Sequence, residues 1–298
     1  MRGIAHAPIA PARLELGCLA LGRGLVVAMV LLLMSVSSSH AAPEVDLELI
    51  LAVDVSWSMD PDEQRLQRDG YVEAFRDRQL AKAITAGPQG RIAVTYFEWA
   101  GPDIQFLIVP WIVIDSASAA AELADRLATR QIARHRMTSI SSALQFADRQ
   151  FAASPFRGTR RVIDVSGDGP NNSGPSPVTR IRDELVARGI VINGLPIMLK
   201  AGGDSGYGWG QDLADLDIYY SACVIGGPGS FMIPIRTREE FATATRQKLL
   251  QEISSLPVPD TRAPRVQRAQ QLAPGRAAYD CEIGENNWRR DYPGRGRF

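Results

Sequence analysis

From Val45 to about Leu256 the chain alternates between apolar runs as long as buried strands and segments with the pattern of amphipathic helices. Residues 47–55 are nearly all apolar, which is typical of a strand that is buried on both faces of a parallel sheet. Asp60 and Pro61 follow this run and predict the capped start of a helix that continues to about Ile84. Repeated passage from strand to helix predicts an α/β sandwich.

Two β-rich runs, 91–99 and 104–113, are separated by a short turn, and this adjacency predicts a hairpin. One strand of the hairpin is therefore expected to lie antiparallel at the edge of the sheet. Further strands are expected at 161–165, 189–197 and 231–235, and further helices at 116–127, 139–151, 177–188, 212–221 and 237–253. The expected fold class is α/β: a doubly wound, mostly parallel sheet with one antiparallel edge strand and helices on both faces.

The first 41 residues are expected to form a signal peptide. An apolar run over 24–34 follows Arg13 and Arg23, and Ser39 and Ala41 fit the small-x-small pattern of a cleavage site. The run is shorter than the roughly 20 residues of a membrane-spanning helix, although an uncleaved anchor stays an alternative. We therefore expect an exported protein with no membrane insertion after cleavage.

Composition argues against nucleic acid as a partner. The chain has 298 residues and a formal net charge of +0, so it carries no overall positive charge that would attract phosphates or anionic membranes. Its aromatic residues are not interleaved with basic ones in the way that stacks bases. Its hydrophobic fraction of 45% is ordinary for a globular domain with one large core.

The globular domain is expected to span residues 44–256, and an arginine-rich tail over 257–298 lacks periodicity and is expected to be extended or disordered. Cleavage of the signal peptide removes Cys18, so the mature chain keeps Cys223 and Cys281. Two thiols in an oxidising compartment are expected to pair, and this disulfide would tether the tail to the domain. The alternative is a buried free Cys223 and a free Cys281 in the tail.

Three segments carry oxygen-bearing side chains at the ends of predicted strands or at the start of a helix. Asp54, Ser56 and Ser58 alternate after the first strand, Thr138 precedes the helix at 139–151, and Asp168 follows the strand at 161–165. Because the carboxyl ends of parallel strands share one rim of a sheet, these segments are expected to converge. Hydroxyls and carboxylates suit Mg²⁺ or Mn²⁺ better than Zn²⁺. Each motif alone is usually a helix cap or a turn, but together they predict a metal site.

The order Asp-x-Ser-x-Ser, then Thr, then Asp-Gly resembles the metal-ion-dependent adhesion site (MIDAS) of von Willebrand factor type A (vWA) domains. The resemblance covers about residues 46–255 and implies a Rossmann-like vWA fold. It also implies that an Asp or Glu carboxylate of a protein partner fills a vacant position on a bound Mg²⁺, Mn²⁺ or Ca²⁺ ion. The resemblance implies Ser56, Ser58 and Thr138 as direct metal ligands, with Asp54 and Asp168 as ligands either directly or through water.

The chain departs from the vWA pattern at two places. Arg136-Met137 precedes Thr138 where that family often has glycine, and Ser166-Gly167 precedes Asp168 where a threonine is common. The segments 93–99 and 219–229 resemble DUF1194, an uncharacterised and mainly proteobacterial family of vWA domains. That resemblance implies the same fold and metal, and a periplasmic or extracellular location in a Gram-negative bacterium, but no activity.

The expected function is a protein-binding module for adhesion or assembly, without catalysis. A metal-dependent hydrolase stays an alternative because Mg²⁺ can activate water, with Asp164 or Glu98 as the candidate base. The segment 203–206 (GDSG) resembles a serine-protease nucleophile loop, but His135 is the only histidine after the signal peptide. The other alternative is a metal-free vWA scaffold that binds its partner through an exposed Trp57.

Overall fold

A seven-stranded sheet forms the centre of the computed structural model, which describes residues 41–199, 213–254, 267–268 and 279–291. The order of the strands is β3-β2-β1-β4-β5-β6-β7. The strands are β1 (Glu44–Asp54), β2 (Ile92–Trp99), β3 (Gln105–Ile114), β4 (Arg157–Gly167), β5 (Ile190–Pro196), β6 (Phe231–Met232) and β7 (Gln267–Arg268).

The predicted fold class is confirmed. Strands β2, β1, β4, β5 and β6 are parallel to one another, and β3 pairs antiparallel with β2 at one edge, as the hairpin predicts. The two-residue strand β7 pairs antiparallel with β6 at the other edge. It lies in the segment that the sequence predicts to be an extended tail.

Helices pack on both faces of the sheet. Leu49 and Leu51 of β1 point to one face, while Ile50 and Ala52 point to the other, because successive side chains of a strand alternate. The helices are α1 (Pro61–Arg76), α2 (Arg78–Thr85), α3 (Ala117–Ala128), α4 (Ile140–Ala152), α5 (Val178–Val186), α6 (Leu216–Tyr219), α7 (Phe241–Ser254) and α8 (Ile283–Asp291), with a π-helical turn at Tyr220–Val224 and a 3₁₀ helix at Arg238–Glu240. Helices α1, α2, α3 and α7 cover the face of Leu49, and α4, α5, α6 and the π-helical turn cover the face of Ile50.

The helix expected to run to Ile84 is two helices, so that prediction was wrong. Its start is as expected: the Asp60 side chain accepts from the backbone N–H groups of Asp62 and Glu63, and Glu63 accepts from the Asp60 N–H. Asp77 has an extended backbone and interrupts the helix after Arg76. Its carboxylate accepts from the N–H of Gln79 at 2.6 Å and so caps the start of α2.

A disulfide joins Cys223 to Cys281, which confirms the expected pair. Beyond it the chain forms α8, so the expectation of an extended tail was wrong for residues 283–291. The tethered segment packs on the domain: the Tyr279 hydroxyl donates to Asp215 Oδ2 at 3.1 Å, and Gly284 lies against Asn171.

Two predicted segments, the signal peptide and the 203–206 loop, lie outside the described residues. Within the part of the chain that the structure describes, no helix is long and apolar enough to cross a membrane.

Candidate metal site

Strands β1 and β4 bring Asp54 and Asp168 to the same rim of the sheet. The two strands are parallel neighbours, with Val53 opposite Ser166, so both chains leave the sheet side by side. Asp54 is fully buried, and its Oδ1 accepts from the backbone N–H of Ser56 at 2.7 Å. This bond holds the backbone of Ser56 against the Asp54 carboxylate.

Hydroxyl groups link the first and third of the predicted segments. Ser56 Oγ and Ser58 Oγ are 2.8 Å apart, and Ser58 Oγ donates to Asp168 Oδ1 at 2.6 Å. Ser56 is buried and Ser58 is half-buried, so this oxygen cluster reaches from the interior to the surface.

Thr138 joins the cluster through the segment that follows Asp168. Its N–H donates to Asn172 Oδ1 at 2.8 Å, and its carbonyl accepts from the Asn172 N–H at 2.9 Å. A Cβ atom placed on Gly169 would lie 3.9 Å from Thr138 Oγ1, which places the threonine hydroxyl beside the Asp168-Gly169 turn. All five predicted site residues therefore lie at one rim.

The electrostatics of Asp54 fit a bound cation. Within the described residues no hydrogen bond reaches Asp54 Oδ2, although this atom is buried. Burial raises the pKa of Asp54 to about 7, against the opposing effect of hydrogen bonds from Ser56 and from the backbone of Asp168. A cation at this position would compensate the buried charge. The described residues contain no group of three or more His, Cys, Asp or Glu side chains that could hold a metal, so a site here depends on hydroxyl oxygens.

Gly167 explains one departure from the vWA pattern. A Cβ atom at this position would lie 2.8 Å from Asp54 Oδ2 and 3.2 Å from the Tyr220 hydroxyl. Glycine therefore lets the end of β4 approach the Asp54 carboxylate. The preceding Ser166 is buried, and its hydroxyl accepts from Gln67 Nε2 at 2.8 Å.

Met137 marks the other departure. Its φ is 69°, in the left-handed region that glycine adopts without cost and other residues do not. The chain thus keeps the backbone shape of a glycine at the position where the vWA pattern often has one.

The profile of the family described as "Protein of unknown function (DUF1194)" matches residues 44–257. The chain belongs to the DUF1194 family. No curated protein sequence matches the chain.

Solved structures share the vWA-type fold of this DUF1194 chain, and two of them match it with a TM-score of 0.50. Proximal thread matrix protein 1 from the mussel byssus, in a structure with a zinc-occupied MIDAS motif, matches 71% of the chain with 12% identity and a TM-score of 0.50. The pilus adhesin SpaC from Lactobacillus rhamnosus GG matches 73% of it with 10% identity and a TM-score of 0.50. A von Willebrand factor type A protein from Catenulispora acidiphila matches 70% of it with 17% identity and a TM-score of 0.46.

These three solved structures are longer than the region that the chain matches. The match spans 49% of the mussel protein, 31% of the pilus adhesin and 43% of the Catenulispora protein. The chain thus covers half or less of each, and at these identities the likeness extends to the fold alone.

Sequence reasoning missed the side chains that hold the site together. Asn171 Oδ1 accepts from the Ser141 N–H at 2.9 Å, and Asn171 Nδ2 donates to Glu285 Oε1 of α8 at 2.6 Å. Burial raises the pKa of Glu285, and the bond from Asn171 opposes that shift. The Asn171-Asn172 pair is a turn signal in the sequence, but nothing local links Glu285 to it across 114 residues.

Both candidate bases of the hydrolase alternative are held in buried ion pairs. Asp164 lies 2.5 Å from Lys248 Nζ, and Glu98 pairs with Arg68. Each carboxylate therefore already has a cationic partner in the interior of the domain.

The rim of the site carries Trp57 and a basic segment. Trp57 is 38% exposed, and the Arg136 guanidinium lies 4.8 Å from the centre of its ring. His135 is half-buried, its ring centre 5.1 Å from that of Phe106, and its backbone forms a bridge with Ser56.

Proposed function

We propose that this protein is an exported binding module that holds one divalent cation on Asp54, Ser56, Ser58, Thr138 and Asp168. The cation would keep a position open for an Asp or Glu carboxylate of a protein partner. The proposed role is adhesion or assembly, with no substrate turnover.

The convergence of hydroxyls on two carboxylates carries this proposal. The 2.6 Å bond from Ser58 Oγ to Asp168 Oδ1 connects segments that are 110 residues apart, and the buried Asp54 lies next to it on the rim. With Asp54 and Asp168 bound through water, the three side chains that would touch the ion are neutral hydroxyls, and the ion would keep much of its positive charge. A carboxylate of a partner would then bind the ion directly, and this is the chemistry that links metal and partner.

The choice of ion rests on the donor set and on one relative. Hard oxygen donors favour Mg²⁺, Mn²⁺ or Ca²⁺ over Zn²⁺. The mussel matrix protein carries zinc in its MIDAS motif, which supports a divalent ion in this fold and puts Zn²⁺ among the ions to test. We propose Mg²⁺ as the resident ion.

The proposed location follows from the first 41 residues and from the disulfide. A signal peptide there would direct the chain to the periplasm or outside the cell, and the Cys223–Cys281 bond suits an oxidising compartment.

The test is calorimetric titration of the purified, metal-stripped protein with Mg²⁺, Mn²⁺ and Zn²⁺. We expect saturable binding of about one ion per chain. Asp54→Asn and Asp168→Asn should abolish it, because each removes one of two anionic ligands. Asp46→Asn is the matched control: Asp46 lies in the same strand as Asp54, at the opposite end of the sheet.

Thermal unfolding of the same variants verifies that each is folded. A folded wild-type protein that binds none of the three ions would overturn the metal site. Equal binding by Asp54→Asn and the wild type would show that the ion binds elsewhere.

A further inference from the structure

The connection between α3 and α4 is strongly basic where it passes the candidate metal site. The sequence has no acidic residue between Asp125 and Asp148, and in this stretch it carries Arg126, Arg130, Arg134, His135 and Arg136. The connection runs alongside the first metal-site segment, with the His135 N–H donating to the carbonyl of Val55 at 3.1 Å. Positive charge is therefore concentrated at one side of the rim.

A pocket of about 460 Å³ opens between this connection and the start of α1. We name it the arginine pocket because Arg65, Arg68, Arg130 and Arg134 line it. Asp69 is the one carboxylate among the residues that line it. Such a lining attracts anions, and guanidinium groups are suited to bind carboxylates in pairs of hydrogen bonds.

Two of these arginines are already paired with acids. Arg68 is buried, pairs with Glu98 and donates to the carbonyl of Leu127 at 2.8 Å. Arg65 is exposed and pairs with Asp62. These two groups shape the pocket, and their acidic partners offset their charges.

The other two arginines have donors available for a ligand. Arg130 is exposed and makes no ion pair within the described part of the chain. Arg134 donates through Nη2 to the carbonyls of Trp57 and Met59, at 2.9 and 2.7 Å. Its Nε is buried and has no hydrogen-bond partner among the described residues. An N–H group that is buried without a partner carries a free-energy cost.

The arginine pocket adjoins the candidate metal site. Arg134 lines the pocket and also holds the carbonyl of Trp57, the residue between Ser56 and Ser58. Pro61 lines the pocket as well and is three residues from Ser58. A single segment of a partner is therefore able to reach both places.

We infer that the arginine pocket binds a second carboxylate of the partner whose first carboxylate completes the metal site. The partner would thus present an acidic segment with at least two Asp or Glu side chains. This inference rests on the proposed function, because a carboxylate-bearing protein on the metal is what favours a carboxylate over a phosphate next to it.

The test uses a fluorescein-labelled hexaglutamate peptide as the probe and its fluorescence anisotropy as the readout. Binding is measured with Mg²⁺ and with EDTA at one fixed ionic strength. Arg130→Gln removes the exposed arginine and should weaken binding about threefold to tenfold in both conditions. Arg76→Gln is the control, because Arg76 is an exposed arginine that lies in helix α1 outside the pocket, and it should change binding less than twofold.

A second pair of variants tests the pocket without removing an arginine. Ala128 is exposed and lines the pocket. Ala128→Glu places a carboxylate there and should weaken binding about as much as Arg130→Gln, whereas Ala128→Gln has the same size without the charge and should have little effect.

The outcomes distinguish failure of the pocket inference from failure of the proposed metal-dependent function. If Arg130→Gln and Ala128→Glu bind the peptide as tightly as the wild type, the pocket inference is wrong. If Mg²⁺ and EDTA give the same affinity while both variants weaken binding, the pocket stands and the metal-dependent function fails. Displacement of the peptide by inorganic phosphate at lower concentrations than by acetate would overturn the assignment to carboxylates.

Discussion

Met137 holds a left-handed backbone directly before Thr138, and this conformation directs the chain into the candidate site. A left-handed conformation costs a residue with a Cβ atom about 1–2 kcal/mol. The segment is fixed from both sides, because the Ser139 N–H donates to the Ala100 carbonyl at 2.7 Å and the Thr138 N–H donates to Asn172. The hydrogen bonds of Thr138 and Ser139 therefore compensate the strain at Met137. They also place the threonine hydroxyl beside the Asp168 turn.

Two substitutions at Met137 isolate this strain. Met137→Ala and Met137→Gly both remove the side chain, but only glycine adopts φ of 69° without cost. Glycine also has greater freedom in the unfolded chain, which offsets part of this gain. Met137→Gly should therefore be more stable than Met137→Ala by about 0.5–1 kcal/mol. Urea unfolding measures the difference.

The control is Ala133→Gly, at an exposed position of the same connection whose φ is not positive. There glycine should leave stability unchanged or lower it. Equal stability of the glycine and alanine variants at position 137 would contradict the strain argument.

Among the helices, α8 fixes the segment that follows Asp168 in the candidate site, and we call this contact the clamp. Asn171 donates to Glu285 of α8, and Gly284 lies so close to the Asn171 carbonyl that no side chain fits between them. The disulfide from Cys281 to Cys223 holds the start of this helix against the π-helical turn. An element from the C-terminal end of the chain thus fixes the backbone three residues beyond Asp168.

Loss of the disulfide should weaken the whole domain. It closes a sequence separation of 58 residues, for which restriction of the unfolded chain contributes about 4 kcal/mol at most and about 2–4 kcal/mol in practice. Cys281→Ser should lower the free energy of unfolding by this amount in urea titrations. Cys281 is half-buried, so serine is tolerated there better than at the fully buried Cys223.

Reduction supplies the matched comparison. Dithiothreitol should destabilise the wild type to the level of Cys281→Ser and leave that variant unchanged. A wild type that is equally stable with and without reductant would show that the clamp depends on packing rather than on the bond.

At the scale of the whole molecule, local sequence patterns predicted the parts of the fold that local physics determines. The apolar run of β1, the cap at Asp60 and the positions of Asp54 and Asp168 at strand ends follow from periodicity and from the topology of a parallel sheet. The sequence did not predict that Asp77 would end one helix and begin the next, because an aspartate is also common on the surface of a continuous helix. The position of α8 escaped because its contact with Asn171 is tertiary and spans 114 residues.

A cluster of buried charged side chains lies between helix α7 and strands β4 and β5. Lys248 Nζ lies 2.5 Å from both Asp164 Oδ1 and Glu252 Oε1, and Asn193 Nδ2 donates to Glu252 at 3.0 Å. One ammonium group therefore serves two buried carboxyl groups. Burial raises the pKa of Glu252 to about 7, and the charge of Asp164 adds to this shift while Lys248 opposes it.

This cluster should make the domain less stable as the pH rises from 5 to 8. The folded protein keeps a proton on Glu252 up to a pKa of about 7, whereas the unfolded chain loses it near 4.5, so the stabilisation is full below pH 4.5 and is lost through pH 7. Glu252→Gln keeps an oxygen acceptor for Lys248 but has no proton to lose at this position. Between pH 5 and pH 8, its free energy of unfolding should therefore fall by about 1–3 kcal/mol less than that of the wild type. Urea unfolding in EDTA at each pH measures this, and Asp54 titrates in both proteins, so its effect cancels. Glu184→Gln is the control, at an exposed residue paired with Arg180, and its stability should depend on pH as that of the wild type does. Parallel pH profiles of stability for the wild type and Glu252→Gln would refute the argument that Lys248 serves two carboxyl groups.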